Sequence, residues 1–194
     1  MNDRKQKVKT ENFTTEDMSV TIGVPQGSVL GPFLFLVYAN DITLFTNGGS
    51  INLFADDTTL FITVDDINDA ATKMNNDLET MMTWVRRWLV EFSPPKTESL
   101  LISFKRTKDQ HPPIYLNNVM IREVQHHKHL GVYLSHDLTW DYHIHEICKV
   151  ASKKLDIMKP LKMKIDRKSL ERLYLSFIQP TLEYADIVWD KPKE

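Results

Sequence analysis

The 194-residue sequence is poor in cysteine, in long apolar runs and in net charge. Its single cysteine, Cys148, excludes an internal disulfide and is typical of a reducing, intracellular compartment. No stretch approaches the roughly 18 apolar residues of a membrane-spanning helix, and the polar N-terminus is unlike a signal peptide, so no membrane partner is expected. A formal net charge of −2 argues against a protein that binds nucleic acid through overall charge alone. Nuclear and cytoplasmic locations both stay open.

The remaining composition, 42% hydrophobic and 26% charged, suits one ordinary core with or without a small appendage. Period-two and period-3.6 patterns alternate, which predicts an α+β fold. We expect strands at 18–22, 99–104 and 128–135, hairpins at 51–61 and 114–121, and helices at 28–41, 67–89, 140–158 and 166–177. The chain then divides into a polar segment (1–17), an α+β unit (18–135) and a helical region (136–194).

Two adjacent carboxylates, Asp56 and Asp57, interrupt the apolar stretch 51–61, INLFADDTTLF. The flanking pattern predicts a β-hairpin with the pair at its tip. Neighbouring carboxylates resist ionising together, and a divalent cation relieves their repulsion. A solvated Asp-Asp turn is the simpler interpretation.

A second motif, GVPQGSVLGP at 23–32, lies between a predicted strand and a predicted helix. Gly23 and Gly27 lack a Cβ and let a ligand approach the backbone, and Gln26 offers an amide to a base or sugar edge. The N-terminus of the following helix suits a phosphate group. Such turns are common, so this motif alone is weak.

In this order and about 20 residues apart, the two motifs resemble the reverse transcriptases of non-LTR (LINE-like) retrotransposons. The resemblance continues through two tryptophans on a helix and later short motifs, and covers nearly the whole chain. These are Trp84 and Trp88, PPKTE at 94–98, HLGV at 129–132, LTW at 138–140 and PTLEY at 180–184. It implies a partial polymerase palm, an antiparallel sheet with helices on one face, followed by a helical, thumb-like segment.

The resemblance implies two-metal nucleotidyl transfer with Mg²⁺, or Mn²⁺ in its place, on an RNA template, a DNA primer and deoxynucleoside triphosphates. Asp56 would be the principal catalytic metal ligand and Asp57 a weaker one. Lys96 would act near the triphosphate, although a surface lysine in a turn fits equally well.

The remaining implied contacts are to nucleotide, template and primer. Gly23, Pro25, Gln26 and Gly27 would line the nucleotide and template pocket. The dipeptide 130–131, Leu130 with Gly131, would belong to a hairpin that grips the primer end, or to a strand with a tight backbone contact.

Residues 149–172 hold nine Lys or Arg against three acids. By the resemblance this segment would contact the backbone of a nucleic-acid duplex. A solvated helix face is the alternative. The duplex contacts are expected from Lys153, Lys154, Lys162, Lys164, Arg167 and Lys168.

Two further clusters receive structural interpretations. Trp84 and Trp88 lie four residues apart on a helix and are expected in the core rather than stacked on bases. The histidines and the cysteine lack the spacing of paired zinc ligands, so no zinc site is expected from His126, His127, His129, His143, His145 and Cys148.

The family's first metal-binding aspartate lies on a strand upstream of the GVPQG turn, in a stretch like F-x-D-x-x-K-A-F-D, and the 22 residues before Gly23 contain none. We therefore expect a fragment without the fingers, inactive alone, with an exposed sheet edge and marginal stability. The alternative is a non-catalytic, truncated retroelement relic that at most binds nucleic acid non-specifically. Oligomeric state, template and any endonuclease domain of a parent protein stay open.

Overall fold

The computed structural model describes residues 4–20, 23–24, 27–104 and 111–190. Its strands are β1 Lys5–Gln6, β2 Met18–Ser19, β3 Ser50–Phe54, β4 Asp57–Phe61, β5 Glu98–Ser99, β6 Tyr115–Leu116, β7 Val119–Met120, β8 Arg122–Glu123, β9 His126–His129 and β10 Val132–Ser135. Its α-helices are α1 Gly31–Ala39, α2 Ile67–Trp88, α3 Asp141–Met158, α4 Arg167–Leu173, α5 Gln179–Leu182 and α6 Asp186–Trp189. Short 3-10 turns follow α1 (Asn40–Phe45) and α3 (Lys159–Met163) and precede β5 (Pro94–Lys96), and a π-helical turn follows α4 (Tyr174–Ile178).

The mixture of helices and small sheets confirms the α+β class. Within the described ranges the strands form five separate two-stranded ladders, so the larger antiparallel sheet that we expected is not seen there. Four ladders are antiparallel and β5–β8 is parallel. The hairpins at 51–61 and 114–121 are confirmed as β3–β4 and β6–β7.

Of the strand expected at 18–22, the structure shows β2 at Met18–Ser19, and residues 21–22 lie outside the described ranges. Two other strand predictions were wrong. The strand expected at 99–104 is limited to β5, and its ladder ends at Ser99. The strand expected at 128–135 is a hairpin, β9–β10, because Leu130 and Gly131 both adopt positive φ (47° and 88°) and reverse the chain.

Helix α2 builds the larger core. Asp66 caps its N-terminus, where the carboxylate accepts a hydrogen bond from the Asn68 N–H (2.9 Å), and Leu89 with φ 55° caps its C-terminus. One face of α2 packs on the 3-10 turn after α1 and on the β6–β7 hairpin. The buried cluster comprises Ile42, Leu78, Met81, Met82, Trp84, Val85, Leu116 and Ile121, and Trp88 packs against it, so the core position of both tryptophans is confirmed.

A smaller core joins the helices that follow β10. Ala151 and Met158 of α3 pack on Ile178. The helix that we expected to end before Pro180 continues through it, because Pro180 occupies the first turn of α5, where no N–H is needed for the helix ladder. No helix of the described residues is long and apolar enough to cross a membrane.

Helix α1 is the exception to this packing. Its sequence, GPFLFLVYA, is apolar on every face, which is typical of a helix buried on all sides. Its contacts in this chain lie toward its C-terminal end, and Phe33, Leu36 and Val37 remain 60% to 66% exposed. The helix begins at Gly31 rather than at Ser28 as expected.

Candidate active site

The two adjacent carboxylates lie where the sequence predicted, at the tip of the β3–β4 hairpin. Phe54 pairs with Asp57 across the ladder, so Ala55 and Asp56 form the turn. Ala55 has φ 52°, a conformation that costs a residue with a Cβ of order 1 kcal/mol and is often found at functional sites. Asp56 and Asp57 are both exposed, and neither side chain makes a hydrogen bond or ion pair within the described part of the chain.

The base of the same hairpin is held by a third carboxylate, that of Asp77 on α2. It is 1% exposed and accepts hydrogen bonds from the N–H groups of Asn47 (2.8 Å), Gly48 (3.2 Å) and Gly49 (2.6 Å). Three successive amides converging on one buried anion satisfy its charge without a cation. The loop that leads into β3 is therefore pinned to α2.

Gly49 is required by this packing rather than by its backbone angles. A Cβ built on Gly49 would lie 2.9 Å from Ile62 Cγ1, and 3.0 Å from both Asp77 Oδ2 and Leu60 Cδ1. Those distances are shorter than real Cβ contacts, so a larger residue would push the loop off the carboxylate.

Asp41 connects the end of α1 to α2. Its two carboxylate oxygens accept hydrogen bonds from the indole N–H groups of Trp84 (2.7 Å) and Trp88 (3.2 Å). The Tyr38 hydroxyl donates to the Trp88 carbonyl, and its ring meets the ring of Trp88 edge-on at 5.3 Å. These contacts fix the C-terminal end of α1, the helix that follows the GVPQG turn.

The described part of the GVPQG turn is open. Gly23 and Gly27 have φ of 84° and 83°, and a Cβ built on either would meet no atom within 4 Å. Arg4 donates from Nη2 to the Gly23 carbonyl (2.5 Å), while its Nε and Nη1 and the Ser28 hydroxyl are buried without a partner in the described part of the chain. Pro25 and Gln26 lie outside the described residues.

Lys96 ends the 3-10 turn Pro94–Lys96 and is exposed. No hydrogen bond or ion pair among the described residues joins it to Asp56 or Asp57. Its role therefore stays a prediction.

Leu130 and Gly131 form the turn of the β9–β10 hairpin. The Tyr184 hydroxyl donates to the Leu130 carbonyl (2.8 Å), and a Cβ on Gly131 would lie 2.8 Å from Tyr184 Cε1. Gly131 is thus needed twice, for its φ of 88° and for the tyrosine ring above it. The turn is held by the segment after α5.

Three polar side chains, Glu98 of β5, Arg122 of β8 and His127 of β9, connect these strands. Glu98 accepts from Arg122 and is bonded to His127 Nδ1 (2.9 Å). The hydrogen bond from His127, followed by the Arg122 guanidinium, holds the pKa of Glu98 below its ordinary value. This group follows directly after the turn that carries Lys96.

Of the cationic residues predicted to contact a duplex, Lys154 is already engaged. Its ammonium donates to the Phe177 carbonyl (2.9 Å) and the Thr181 hydroxyl (2.5 Å), and lies 4.7 Å from the centre of the Phe177 ring. The other five are exposed and make no ion pair within the described residues, namely Lys153, Lys162, Lys164, Arg167 and Lys168.

The histidines serve packing roles. The His126 ring stacks on Tyr142 at 3.9 Å, and His143 is buried beside Trp189. The His143 Nδ1 accepts from the Tyr133 N–H (3.3 Å), and burial lowers the pKa of His143 below its ordinary value. Across the described ranges no three His, Cys, Asp or Glu side chains group as a metal site.

The fold and the two motifs can now be compared with known proteins. The family model described as reverse transcriptase (RNA-dependent DNA polymerase) matches residues 4–134. The chain belongs to the reverse transcriptase family. The match begins at Arg4 and ends one residue before the end of β10, and it includes both the GVPQG turn and the Asp56–Asp57 hairpin.

Curated relatives agree with this assignment. In Drosophila melanogaster the chain is 27% identical to the probable RNA-directed DNA polymerase from transposon BS over 202 residues, and 28% identical to the RNA-directed DNA polymerase from mobile element jockey over 195 residues. The alignments cover 97% and 95% of this chain but only 22% and 21% of those proteins, so it spans about a fifth of their length. No solved structure gives a significant match. The resemblance to reverse transcriptases of mobile elements is confirmed.

Several residues that build this candidate site were not singled out from the sequence. Asp77 had a visible signal. It precedes Met81 by four residues and Trp84 by seven, which places an acidic side chain on the apolar face of α2. The Gly48–Gly49 pair offered free amides to such an acid. Tyr184 carried no local signal, because its partner Leu130 is 54 residues away.

Proposed function

We propose that this chain is the part of a non-LTR retrotransposon reverse transcriptase that carries the catalytic hairpin, a partial palm, and a following thumb-like helical region. The observation that carries the proposal is the contrast within the hairpin. Its base is bonded to Asp77 through three amides, while Asp56 and Asp57 at the tip have no partner in the described chain. Such a tip presents hard oxygen ligands at a defined position.

The residues at the tip suit a divalent cation of the Mg²⁺ or Mn²⁺ type, which prefers carboxylate oxygens. Asp56 and Asp57 would hold it, and the cation would supply charge neutralisation at the reacting phosphate. The chain's own contribution is to fix the hairpin and keep both carboxylates exposed. Lys96, if near the triphosphate, would neutralise charge on the leaving group.

The open GVPQG turn supports a nucleotide and template site. Gly23 and Gly27 leave space beside the backbone, and Arg4 and Ser28 carry buried polar atoms without partners. Unpaired buried donors cost free energy, and a bound phosphate or base would satisfy them. Pro25 and Gln26 complete this proposed site, with the RNA template and the deoxynucleoside triphosphate as ligands.

The exposed apolar surface of α1 supports an upstream partner segment. We propose that a strand carrying a further carboxylate packs on α1 and beside the hairpin in the working polymerase. Phe54 at the hairpin tip is 62% exposed, which adds to the same unsatisfied apolar area. Two-metal catalysis needs a ligand from a facing element because two adjacent carboxylates hold one cation loosely.

The second candidate is a non-catalytic chain that at most binds nucleic acid. It is favoured by one observation, that within the described residues no three potential ligands converge. Under this alternative the exposed cations of residues 153–168 retain affinity for nucleic acid and the carboxylate pair has no chemical role.

Primer extension separates the two candidates. The purified 194-residue chain is assayed beside a longer protein that adds any in-frame codons found upstream of Met1, each with an Asp56→Asn control. We expect no Mg²⁺-dependent extension from the short chain and extension from the long one that Asp56→Asn abolishes. Extension by the short chain, or no dependence on Asp56, would contradict the proposal.

A further inference from the structure

A cleft of about 460 Å³ lies between α4 and the end of α3 with the 3-10 turn that follows it, within the segment expected to contact a duplex. Each wall is a stripe of residues from consecutive helical turns, the first running from α3 into the 3-10 turn Lys159–Met163 and the second from α4 into the π-helical turn Tyr174–Ile178. The first stripe is Leu155, Met158, Lys159 and Lys162, and the second is Arg167, Leu170, Glu171 and Tyr174. Its size is within the usual range of small-ligand sites.

The inner surface of the cleft is apolar and includes one aromatic ring. Met158 is buried at the bottom, and Tyr174 is 42% exposed with its hydroxyl unbonded among the described residues. Tyr174 also begins the π-helical turn Tyr174–Ile178. Such turns are rare and occur often at functional sites, so this ring is placed by an irregularity rather than by a regular helix.

The lining of the cleft includes three cations, Lys159, Lys162 and Arg167. Lys159 is neutralised by Asp156 (2.7 Å), but Lys162 and Arg167 have no ion pair within the described part of the chain. Lys164 and Lys168 continue the same cationic edge along the sequence. Phosphate groups spaced along a strand would be attracted to such an edge.

We propose that this cleft takes one unstacked base of a single-stranded RNA or DNA. The base stacks on Tyr174, Lys162 and Arg167 contact the neighbouring phosphates, and the Glu171 carboxylate accepts a hydrogen bond from an exocyclic amine of the base. The inference depends on the proposed function only in taking nucleic acid as the partner. It adds a single-strand site to a region expected to contact duplex backbone.

Glu171 and the shape of the cleft favour a nucleotide over an acidic peptide. A carboxylate inside the cleft repels acidic side chains, whereas a base amine satisfies it. The cleft is short, with four lining residues on each side, which suits one planar ring better than an extended helix.

The test is binding of a short single-stranded RNA with one 2-aminopurine, measured by fluorescence and anisotropy on the whole chain. We expect quenching on binding, and Tyr174→Ala to weaken affinity about tenfold, since base–aromatic stacking is worth roughly 1–3 kcal/mol. The matched control is Tyr115→Ala, because Tyr115 is 45% exposed on β6, and it should change affinity less than about twofold.

Further variants separate stacking from charge. Tyr174→Phe should retain both the quenching and the affinity. Arg167→Gln should reduce the slope of log K against log salt concentration by about one, and by the same amount for every base. Wild type should bind poly(C) more tightly than poly(U), and Glu171→Gln should remove that difference, because only cytosine presents an amine.

Three results would overturn the proposal. They are an equal effect of Tyr174→Ala and Tyr115→Ala, unchanged quenching in Tyr174→Ala, and displacement of the RNA by an acidic amphipathic peptide but not by poly(C). If Tyr174→Ala fails to melt cooperatively, Tyr174→Leu keeps the apolar packing and removes the ring, and wild-type affinity of that variant would equally overturn it. These assays need no polymerase activity, so failure of primer extension leaves them intact.

Discussion

The base and the tip of the β3–β4 hairpin use aspartate in opposite ways. At the base, Asp77 is buried and accepts hydrogen bonds from three successive amides, the shortest at 2.6 Å. At the tip, Asp56 and Asp57 are exposed and unbonded in the described chain. The protein's own donors are concentrated at the base, which leaves the tip carboxylates available to an external cation.

Asp41 repeats the arrangement of the base at a second position. It accepts from the indole groups of Trp84 and Trp88, and so fixes the C-terminal end of α1, the helix that follows the open GVPQG turn. Asp77 thus anchors the β3–β4 hairpin and Asp41 anchors α1. In each case the residues expected to meet substrate lie at the other end of the anchored element.

The largest effect is expected at the base. Asp77→Ala leaves the amides of Asn47, Gly48 and Gly49 without their acceptor and opens a cavity on α2, which should lower the free energy of unfolding by about 3 kcal/mol. Urea denaturation measures it. The control is Asp69→Ala on the exposed side of α2, where the ion pair with Lys73 spans 3.6 Å and is worth under about 1 kcal/mol. Equal losses in the two variants would mean that Asp77 is not an anchor.

A smaller loss is expected from Gly49→Ala. The added Cβ would lie 2.9 Å from Ile62 Cγ1, and overpacking of this kind costs about 1–3 kcal/mol. Gly48→Ala is the matched control, because its nearest contact would be Lys73 Cβ at 3.3 Å, which is tight but longer than the 2.9 Å contact of Gly49. Thermal melting of both should show the larger decrease for Gly49. The reverse order would contradict the geometry of the base.

His143 extends the comparison to a buried titratable group outside the hairpin. Burial lowers its pKa from the ordinary value of 6.5, so the unfolded chain binds a proton more readily and stability falls as the pH drops below 6.5. The loss should be seen as a decrease in the urea midpoint between pH 7 and 5. His143→Gln, which keeps an acceptor for the Tyr133 N–H, should flatten that slope. If the dependence of stability on pH is the same in His143→Gln, another titratable group causes it.

Glu98 acts in a different pH window. Its pKa is lowered from the ordinary value of 4.5 by His127 and Arg122, so its contribution is present above 4.5 and is lost as the pH falls through the lower folded value. It therefore adds little to the slope attributed to His143.

The smallest effect on stability is expected at the tip. Asp56→Asn and Asp57→Asn should each change the free energy of unfolding by less than about 0.5 kcal/mol, with a slight gain where repulsion between the neighbours is relieved. Urea denaturation compares them with Asp77→Asn. A loss of several kcal/mol in either tip variant would show that the pair is structural.

The local signals in the sequence were sufficient for the hairpin, for α2 and for the core tryptophans, since alternation and helical spacing act over a few residues. The prediction of one strand at 128–135 was wrong because a positive φ at Leu130 is uncommon for a branched side chain and is not expected from the sequence. The turn is also stabilised by Tyr184, which lies far along the chain. The place of Asp77 on the apolar face of α2 was visible in the sequence, but its hydrogen-bond partners were not. Its donors lie 28 to 30 residues away, and no local pattern reports a contact of that range.

The sites of Asp56, Asp57, Gly23 and Gly27 followed from motif resemblance, and the structure gives them exposed or open positions. The engagement of Lys154 was beyond sequence reasoning, because composition shows a cation but not the Phe177 carbonyl and Thr181 hydroxyl that occupy it.

The most direct measurement is amide NMR of the whole chain titrated with Mn²⁺, whose paramagnetism broadens nearby signals. If the tip carboxylates are the free ligands of an anchored hairpin, broadening should centre on residues 55–58 and disappear in the Asp56→Asn, Asp57→Asn double variant. The amides of Asn47, Gly48 and Gly49 should be broadened far less, because they precede β3 at the end of the hairpin opposite the tip and broadening falls steeply with distance from the metal. Broadening that survives the double variant, or that centres on Asp65 and Asp66 instead, would contradict a cation site at the hairpin tip.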